Sequence, residues 1–150
     1  MSTTQLKSHE VFQFLRPEQV DAISSAAEEI TPSTGTPVFL SGEPADYFYA
    51  VLGGEVTLYL VGPHGAETVI DQVTPGAIFG SCVCLQIDTY ILNAVCTEDS
   101  RLLKIRSKVL KKLMDDDLVM GYAIQALVSR VYFKRYVETM RKLKNIGREG

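Results

Sequence analysis

The sequence predicts a mainly β domain flanked by helices, and three observations carry that prediction. Short runs rich in β-branched, aromatic and aliphatic residues follow one another from Val38 to Ile105. Gly- and Pro-bearing turns separate them, among them Ser41-Gly42-Glu43-Pro44, Gly53-Gly54, Gly62-Pro63-His64-Gly65 and Thr74-Pro75-Gly76. Helical spacing of apolar residues brackets the series at both ends. Several short strands with turns at this spacing indicate a sandwich or a barrel.

The elements follow in order. Val11 to Ile30 reads as helical: Pro17 suits a first turn, Glu18, Gln19 and Asp21 suit the positive end of the dipole, and Val20, Ile23, Ala26, Ala27 and Ile30 recur at helical spacing. Thr31 to Pro37 is turn chemistry. Strands are expected at Val38–Leu40, Tyr47–Leu52, Val56–Val61, Thr68–Val73, Ala77–Phe79, Tyr90–Cys96 and Leu102–Ile105. Val56, Leu58 and Leu60 share one face, opposite Thr57 and Tyr59, so that face belongs to a core. Ser107 is a good N-cap for a helix over Lys108–Met114. Asp115-Asp116-Asp117 ends that helix and caps a longer one, from about Leu118 to Lys144. The first half of the long helix is apolar almost all round, which predicts cover on more than one side. The second half keeps a narrower stripe, Tyr132, Tyr136, Met140 and Leu143, plus Phe133 and Val137, extending past the roll and suited to a partner helix.

Composition sets the class. The chain has 150 residues, 46% hydrophobic and 22% charged, enough for one domain with its own core. No apolar run is long enough to span a membrane, and MSTTQLKSHE lacks the apolar core of a secretion signal. Three cysteines, Cys82, Cys84 and Cys96, suggest reduced thiols and a cytoplasmic location. The net charge of −3 divides unevenly: residues 1–100 carry −11 and residues 101–150 carry +8. No Lys or Arg occurs from Pro17 to Ser100, so the roll is expected to offer an anion no fixed cation of its own.

The order helix, β-barrel, short helix, long helix resembles the cyclic nucleotide-binding domain of catabolite-activator-type regulators and kinase regulatory subunits. FQFLRPEQVDAISSAAEE looks like the family's helical lead-in. GTPVFLSGEPADYFYAVLGGEVTLYL carries Gly35, Gly42, Asp46, Tyr49, Gly54, Glu55 and Val56 where that pattern has them. PGAIFG matches the entry to the phosphate-binding cassette and EDSRLLKI its exit strand. The resemblance covers roughly residues 10–143. It implies a double-stranded β-helix, or jelly roll, over residues 31–106, with N-terminal helices over 10–30 and C-terminal helices over 107–145, all one domain.

The cassette departs from the family pattern. In the family, Phe-Gly is followed by a Glu that contacts the ribose hydroxyl; here that position is Ser81. An Arg that pairs with the cyclic phosphate is expected a few residues later; here that position is Tyr90, followed by Ile91 and Leu92. Backbone N–H groups around Gly80, Ser81 and Cys82 could still meet a phosphate at a helix start. Losing both charged contacts weakens binding by about two to four powers of ten. The resemblance thus implies a ligand pocket near Gly80, Ser81, Cys82, Val83, Tyr90 and Ile91, closed by Phe133 and Arg135 of the long helix, with impaired or absent binding of cAMP or cGMP. Ile91 and Leu92 are expected to fill the core of the roll, and Tyr90 is open between core and pocket. Lys134 or Arg135 reaching inward would restore a cation, although mid-helix basic residues are usually solvated.

Other constellations read as structure. Cys82, Cys84 and Cys96 fall short of a closed four-ligand metal site, and only His9 and His64 could add to them. A redox or haem sensor is a further alternative, with His64 or Cys82 as an axial ligand, but no second ligand stands out. No arrangement for nucleophilic or paired-carboxylate catalysis can be argued from spacing, so no enzyme is expected. The basic run at Lys134, Arg135, Arg141, Lys142, Lys144 and Arg148 reads as a solvated face. Catabolite-activator-type regulators carry a helix-turn-helix after the long helix; residues 1–150 hold none, so no DNA contact is expected from them. The expectation is a stand-alone sensor or regulatory module. It requires no cofactor, has a cyclic nucleotide or other small molecule as possible ligand, dimerises through the long helix and acts on a regulatory protein partner.

Overall fold

The computed structural model describes Gln13 and residues 15–80 and 88–149, with side chains described to residue 145. Ser81, Cys82, Val83, Cys84 and His9, and most of the lead-in before Leu15, lie outside the described residues. Helix α1 (Pro17–Ala26) leads into eight strands, β1 (Glu28–Ile30), β2 (Pro37–Phe39), β3 (Tyr47–Gly53), β4 (Val56–Val61), β5 (Glu67–Val73), β6 (Ile78–Gly80), β7 (Asn93–Cys96) and β8 (Arg101–Arg106). Helices α2 (Ser107–Asp116) and α3 (Leu118–Glu149) complete the chain.

The strands form two four-stranded sheets, β1-β8-β3-β6 and β2-β7-β4-β5, and every pairing is antiparallel. One core lies between the sheets, built on Phe39, Tyr49, Val51, Val56, Leu58, Val73, Phe79, Tyr90 and Leu102. The other lies between the first sheet and the helices, where Phe48, Ala50, Leu52, Leu103 and Ile105 meet Val20, Ile23, Leu110, Met120, Ile124 and Val128. Strand β3 serves both: alternate residues point to opposite faces, and both faces are covered. Its near-continuous apolar run follows from that position.

The helical reading of Val11 to Ile30 needs correction. The helix ends at Ala26, and Glu28–Ile30 pairs with Lys104, Leu103 and Leu102 of β8. Ala27 and Ile30 fit the helical period, but β8 offers a ladder to the backbone, and pairing overrides propensity. Likewise Tyr90-Ile91-Leu92 precede β7 rather than opening it. The starts of α1 and α3 behave as expected, but α2 does not: Ser107, expected as its N-cap, is its first helical residue, and Arg106 takes the N-cap position. The backbone N–H of Arg16 donates to Gln19 Oε1 at 2.9 Å, and Asp117 caps α3 by accepting from the Met120 N–H at 3.1 Å. Gln19 Nε2 also donates to Asp117 Oδ2 at 2.8 Å, pinning the start of α1 to the start of α3.

The expectation of cover on several sides of the first half of α3 is not met within one chain. Met120, Ile124 and Val128 are buried, but Leu118, Val119 and Tyr122 are 72–78% exposed. One face packs on α2 and the first sheet, and the other faces solvent.

Candidate functional site

The open end of the roll holds a cavity of about 310 Å³ lined by both the second sheet and α3. Phe39, Leu58, Leu60, Ile70, Ile91 and Leu92 make its walls apolar. Tyr90 forms part of the lining with its ring stacked on Phe39, centroids 3.7 Å apart and planes 9° apart. The Tyr90 hydroxyl is used elsewhere: it donates to the Tyr47 carbonyl at 2.8 Å and accepts from the Tyr47 N–H at 3.1 Å. The ring therefore presents carbon to the cavity, and burial pushes the phenol pKa up.

Helix α3 supplies the polar edge. Tyr132, Arg135 and Thr139 line the cavity, and Lys142 continues the same face. The spacing of three and four residues keeps them on one side of the helix. The Tyr132 hydroxyl donates to the Gly80 carbonyl at 2.5 Å. Arg135 is only 8% exposed: Nε donates to Asp71 Oδ2 at 2.6 Å and Nη2 to the Ile78 carbonyl at 2.5 Å. The Arg135 guanidinium also lies 5.4 Å from the Tyr132 ring centroid. Lys142 Nζ donates to the Val69 carbonyl at 2.7 Å. These contacts tie the helix to β5 and β6.

The local backbone of β5 explains where Asp71 comes from. Leu58 faces Asp71 but Tyr59 faces Val69, so Ile70 is an extra residue, a bulge in the ladder. Ile70 lines the cavity while the Asp71 carboxylate meets α3. The second carboxylate oxygen is held as well, accepting from the Gln72 N–H at 2.8 Å.

The structure brings Gly80, Tyr90, Ile91 and Arg135 to this cavity. It does not bring Phe133, which is 67% exposed on the outer side of α3. Tyr132, expected on the outer stripe with Tyr136, Met140 and Leu143, instead lines the cavity. Adjacent helical residues point about 100° apart, so the one-residue difference exchanges the two rings. Ile91, expected in the core, is 62% exposed at the cavity mouth; Leu92 packs partly against the inner core. Lys134 is exposed, whereas Arg135 is buried because Asp71 and a carbonyl meet its charge.

The expectation of a roll without cations also needs correction, since β8 belongs to the roll and carries Arg101, Lys104 and Arg106. None of the three lines the cavity. Lys104 Nζ and the Arg106 guanidinium lie 4.0 and 5.1 Å from the Tyr47 ring centroid, and Arg101 pairs with Glu29 at 3.9 Å. Asp71 is the residue that sequence reasoning missed. Its signal was there: a carboxylate between Val69 and Val73 on one face of a predicted strand is out of place without a partner. His64 is exposed at the tip of a turn, and Cys96 is buried, its thiol pKa pushed up by burial. Among the described residues no cluster of His, Cys, Asp and Glu could hold a metal ion, and no helix is long and apolar enough to cross a membrane.

The site is thus an apolar cavity in a jelly roll, bounded on one side by a C-terminal helix. Residues 31–117, more than half of the chain, match the cyclic nucleotide-binding domain, and the chain belongs to that family. Over 125 residues it is 27% identical to the cyclic AMP receptor protein of Thermus thermophilus; the match covers 83% of this chain and 58% of that protein. The sensor domain of the transcriptional regulator DNR from Pseudomonas aeruginosa superposes with a TM-score of 0.75 at 25% identity, over 91% of each chain. A putative cyclic nucleotide-binding protein from Geobacter metallireducens gives a TM-score of 0.78 at 25% identity, over 91% of this chain and 98% of that one.

Proposed function

We propose that this chain is a sensor or regulatory module, not an enzyme, that binds a small ligand in the cavity and answers through α3, with weakened or absent binding of cAMP and cGMP. The observation that carries the proposal is the two-sided nature of the helix. Tyr132, Arg135 and Thr139 face the cavity; Phe133, Tyr136, Met140 and Leu143, one residue on, face solvent. A ligand that alters how the first face sits on the roll alters how the second is presented.

The outer face fits a second copy of the chain. Tyr122, Ala126, Ser129, Phe133, Tyr136, Met140 and Leu143 are all exposed and repeat at alternating steps of four and three. That is the seam of a left-handed coiled coil, and the small residues Ala126 and Ser129 toward its start allow close approach. Sedimentation equilibrium is expected to give a dimer. Met140→Glu and Phe133→Glu are expected to give a folded monomer, since neither side chain is buried within one chain. A wild-type monomer at tens of micromolar rules out the output route.

The weakened nucleotide binding rests on Ser81 and Tyr90 standing where the family carries its ribose-binding Glu and phosphate-binding Arg. Calorimetric titration is expected to show no micromolar binding of either nucleotide. One observation favours the second reading, a working cyclic nucleotide receptor with an unusual cation: Arg135 does reach the cavity. Micromolar cAMP binding lost in Arg135→Gln establishes that reading instead.

A further inference from the structure

We propose that Asp71 is the specificity-determining residue of the cavity: it occupies Arg135 as a built-in anion and makes the site select an uncharged, largely apolar small molecule. The inference rests on the reading of this cavity as the ligand site and adds the class of ligand.

The argument starts from the state of the guanidinium. Arg135 is the cation lining the cavity, and it is engaged twice, by the Asp71 carboxylate and by the Ile78 carbonyl. Asp71 is itself oriented, with one oxygen on Arg135 and the other on the Gln72 N–H. A carboxylate tethered in place competes at a high effective concentration with any free anion. A phosphate or carboxylate ligand must therefore either displace Asp71 or share with it a guanidinium whose charge is already met, and in both cases it stands beside a second negative charge and gains little net.

Among the described residues, the other walls set the second half of the specificity. Leu58, Leu60, Ile70, Leu92 and the stacked Phe39 and Tyr90 rings offer apolar surface, and the Tyr90 hydroxyl is turned away to Tyr47. A flat apolar guest gains burial there without having to shed the hydration of a charge.

The test uses two fluorescent probes that share a ring system. N-phenyl-1-naphthylamine is uncharged, and 8-anilino-1-naphthalenesulfonate adds one sulfonate. Leu60→Trp, at a partly exposed wall position, plugs the cavity, and only binding lost in that variant is counted. The wild-type protein is expected to bind the neutral probe at least about 10-fold more tightly than the sulfonate. Asp71→Asn is expected to raise sulfonate and cAMP affinity by about 10- to 100-fold while the neutral probe changes by less than about 3-fold. Adding Arg135→Gln is expected to erase that gain. Asp71→Ser replaces Asp71→Asn if the latter does not fold, and the wild-type ratio of the two probes needs no variant at all.

Equal wild-type affinity for the two probes, no binding of the neutral probe in the cavity, or folded Asp71 variants without a gain in anion affinity overturns the inference. Micromolar binding of cAMP or cGMP by the wild-type protein, lost in Leu60→Trp, overturns both this inference and the reading of weakened nucleotide binding, whereas equal probe affinities without nucleotide binding overturn this inference alone. The two failures are thereby told apart.

Discussion

Single residues fix the rim of the cavity. Gly80 has φ +103°, and a Cβ there would lie 2.8 Å from the Tyr47 carbonyl oxygen and 2.9 Å from Tyr49 Cδ2. Gly35 also has positive φ, +87°, but a Cβ there meets nothing within 4 Å. Gly35→Ala is therefore expected to cost about 1 kcal/mol in a urea melt, and Gly80→Ala about 2–4 kcal/mol, since contact with backbone adds to the strain. Tyr90→Phe keeps the stacked ring but removes both hydrogen bonds to Tyr47, and should cost about 1–2 kcal/mol. Two carboxylates, the exposed Asp99 and the half-buried Asp117, contribute to the acid response. Hydrogen bonds from the Thr34 N–H and hydroxyl hold Asp99 below its ordinary pKa, and those from Gln19 and the Met120 N–H do the same for Asp117. Their contribution is complete above the unfolded carboxylate value of about 3.9 and is lost as pH falls through the lower folded values. Thermal melts from pH 6 to pH 2 should fall less steeply for an Asp99→Asn/Asp117→Asn double variant than for the wild type.

Among elements, α3 gives the clearest contrast, because its two sides have different work. Met120 is buried against α2 and the first sheet, so Met120→Ala is expected to cost about 2–5 kcal/mol whatever the protein concentration. Tyr122, two residues on, is 78% exposed. Tyr122→Ala should leave monomer stability within about 0.5 kcal/mol and, if the proposed dimer forms, act on its dissociation alone, which dilution series of the thermal melt resolve. The long helix and its caps were legible in the sequence because period, breaker and cap agreed there. The outer stripe was legible in Tyr136, Met140 and Leu143, but the cavity-facing side was not separated from it. Assigning Phe133 and Tyr132 to their sides required knowing which way the helix lies on the roll, and hydropathy cannot supply that for two aromatic neighbours. Strand β1 was illegible for a related reason: Glu28-Glu29-Ile30 continues a helical pattern, and only β8, more than 70 positions away, gives it a ladder.

For the whole molecule, the division of charge along the chain resolves in part into pairing. Arg101 meets Glu29, Arg135 meets Asp71 and Arg16 approaches Asp117, so basic and acidic groups from distant segments stand together. Their worth differs with burial. Arg135→Met leaves the Asp71 carboxylate and the Ile78 carbonyl without their donor and is expected to destabilise by about 3 kcal/mol, against under about 1 kcal/mol for Arg101→Met. The roll itself was legible from strand spacing and turn chemistry. That Ser81 and Tyr90 carry no charge was legible too, as a fact of identity, while their correspondence to the family's charged positions belongs to the proposed function. The pairing of Arg135 with Asp71 was not, since a helix and a bulged strand meet there across 64 positions of chain.

Strand β3 has no side that faces water, and this has a consequence for how the protein comes apart. The inner filling of the roll and the filling under the helices share one wall, seven residues long. Neither can open without baring the back of the other, so no half-melted species has a favourable resting point. Scanning calorimetry should therefore record a single endotherm whose integrated and van't Hoff enthalpies coincide per melting unit.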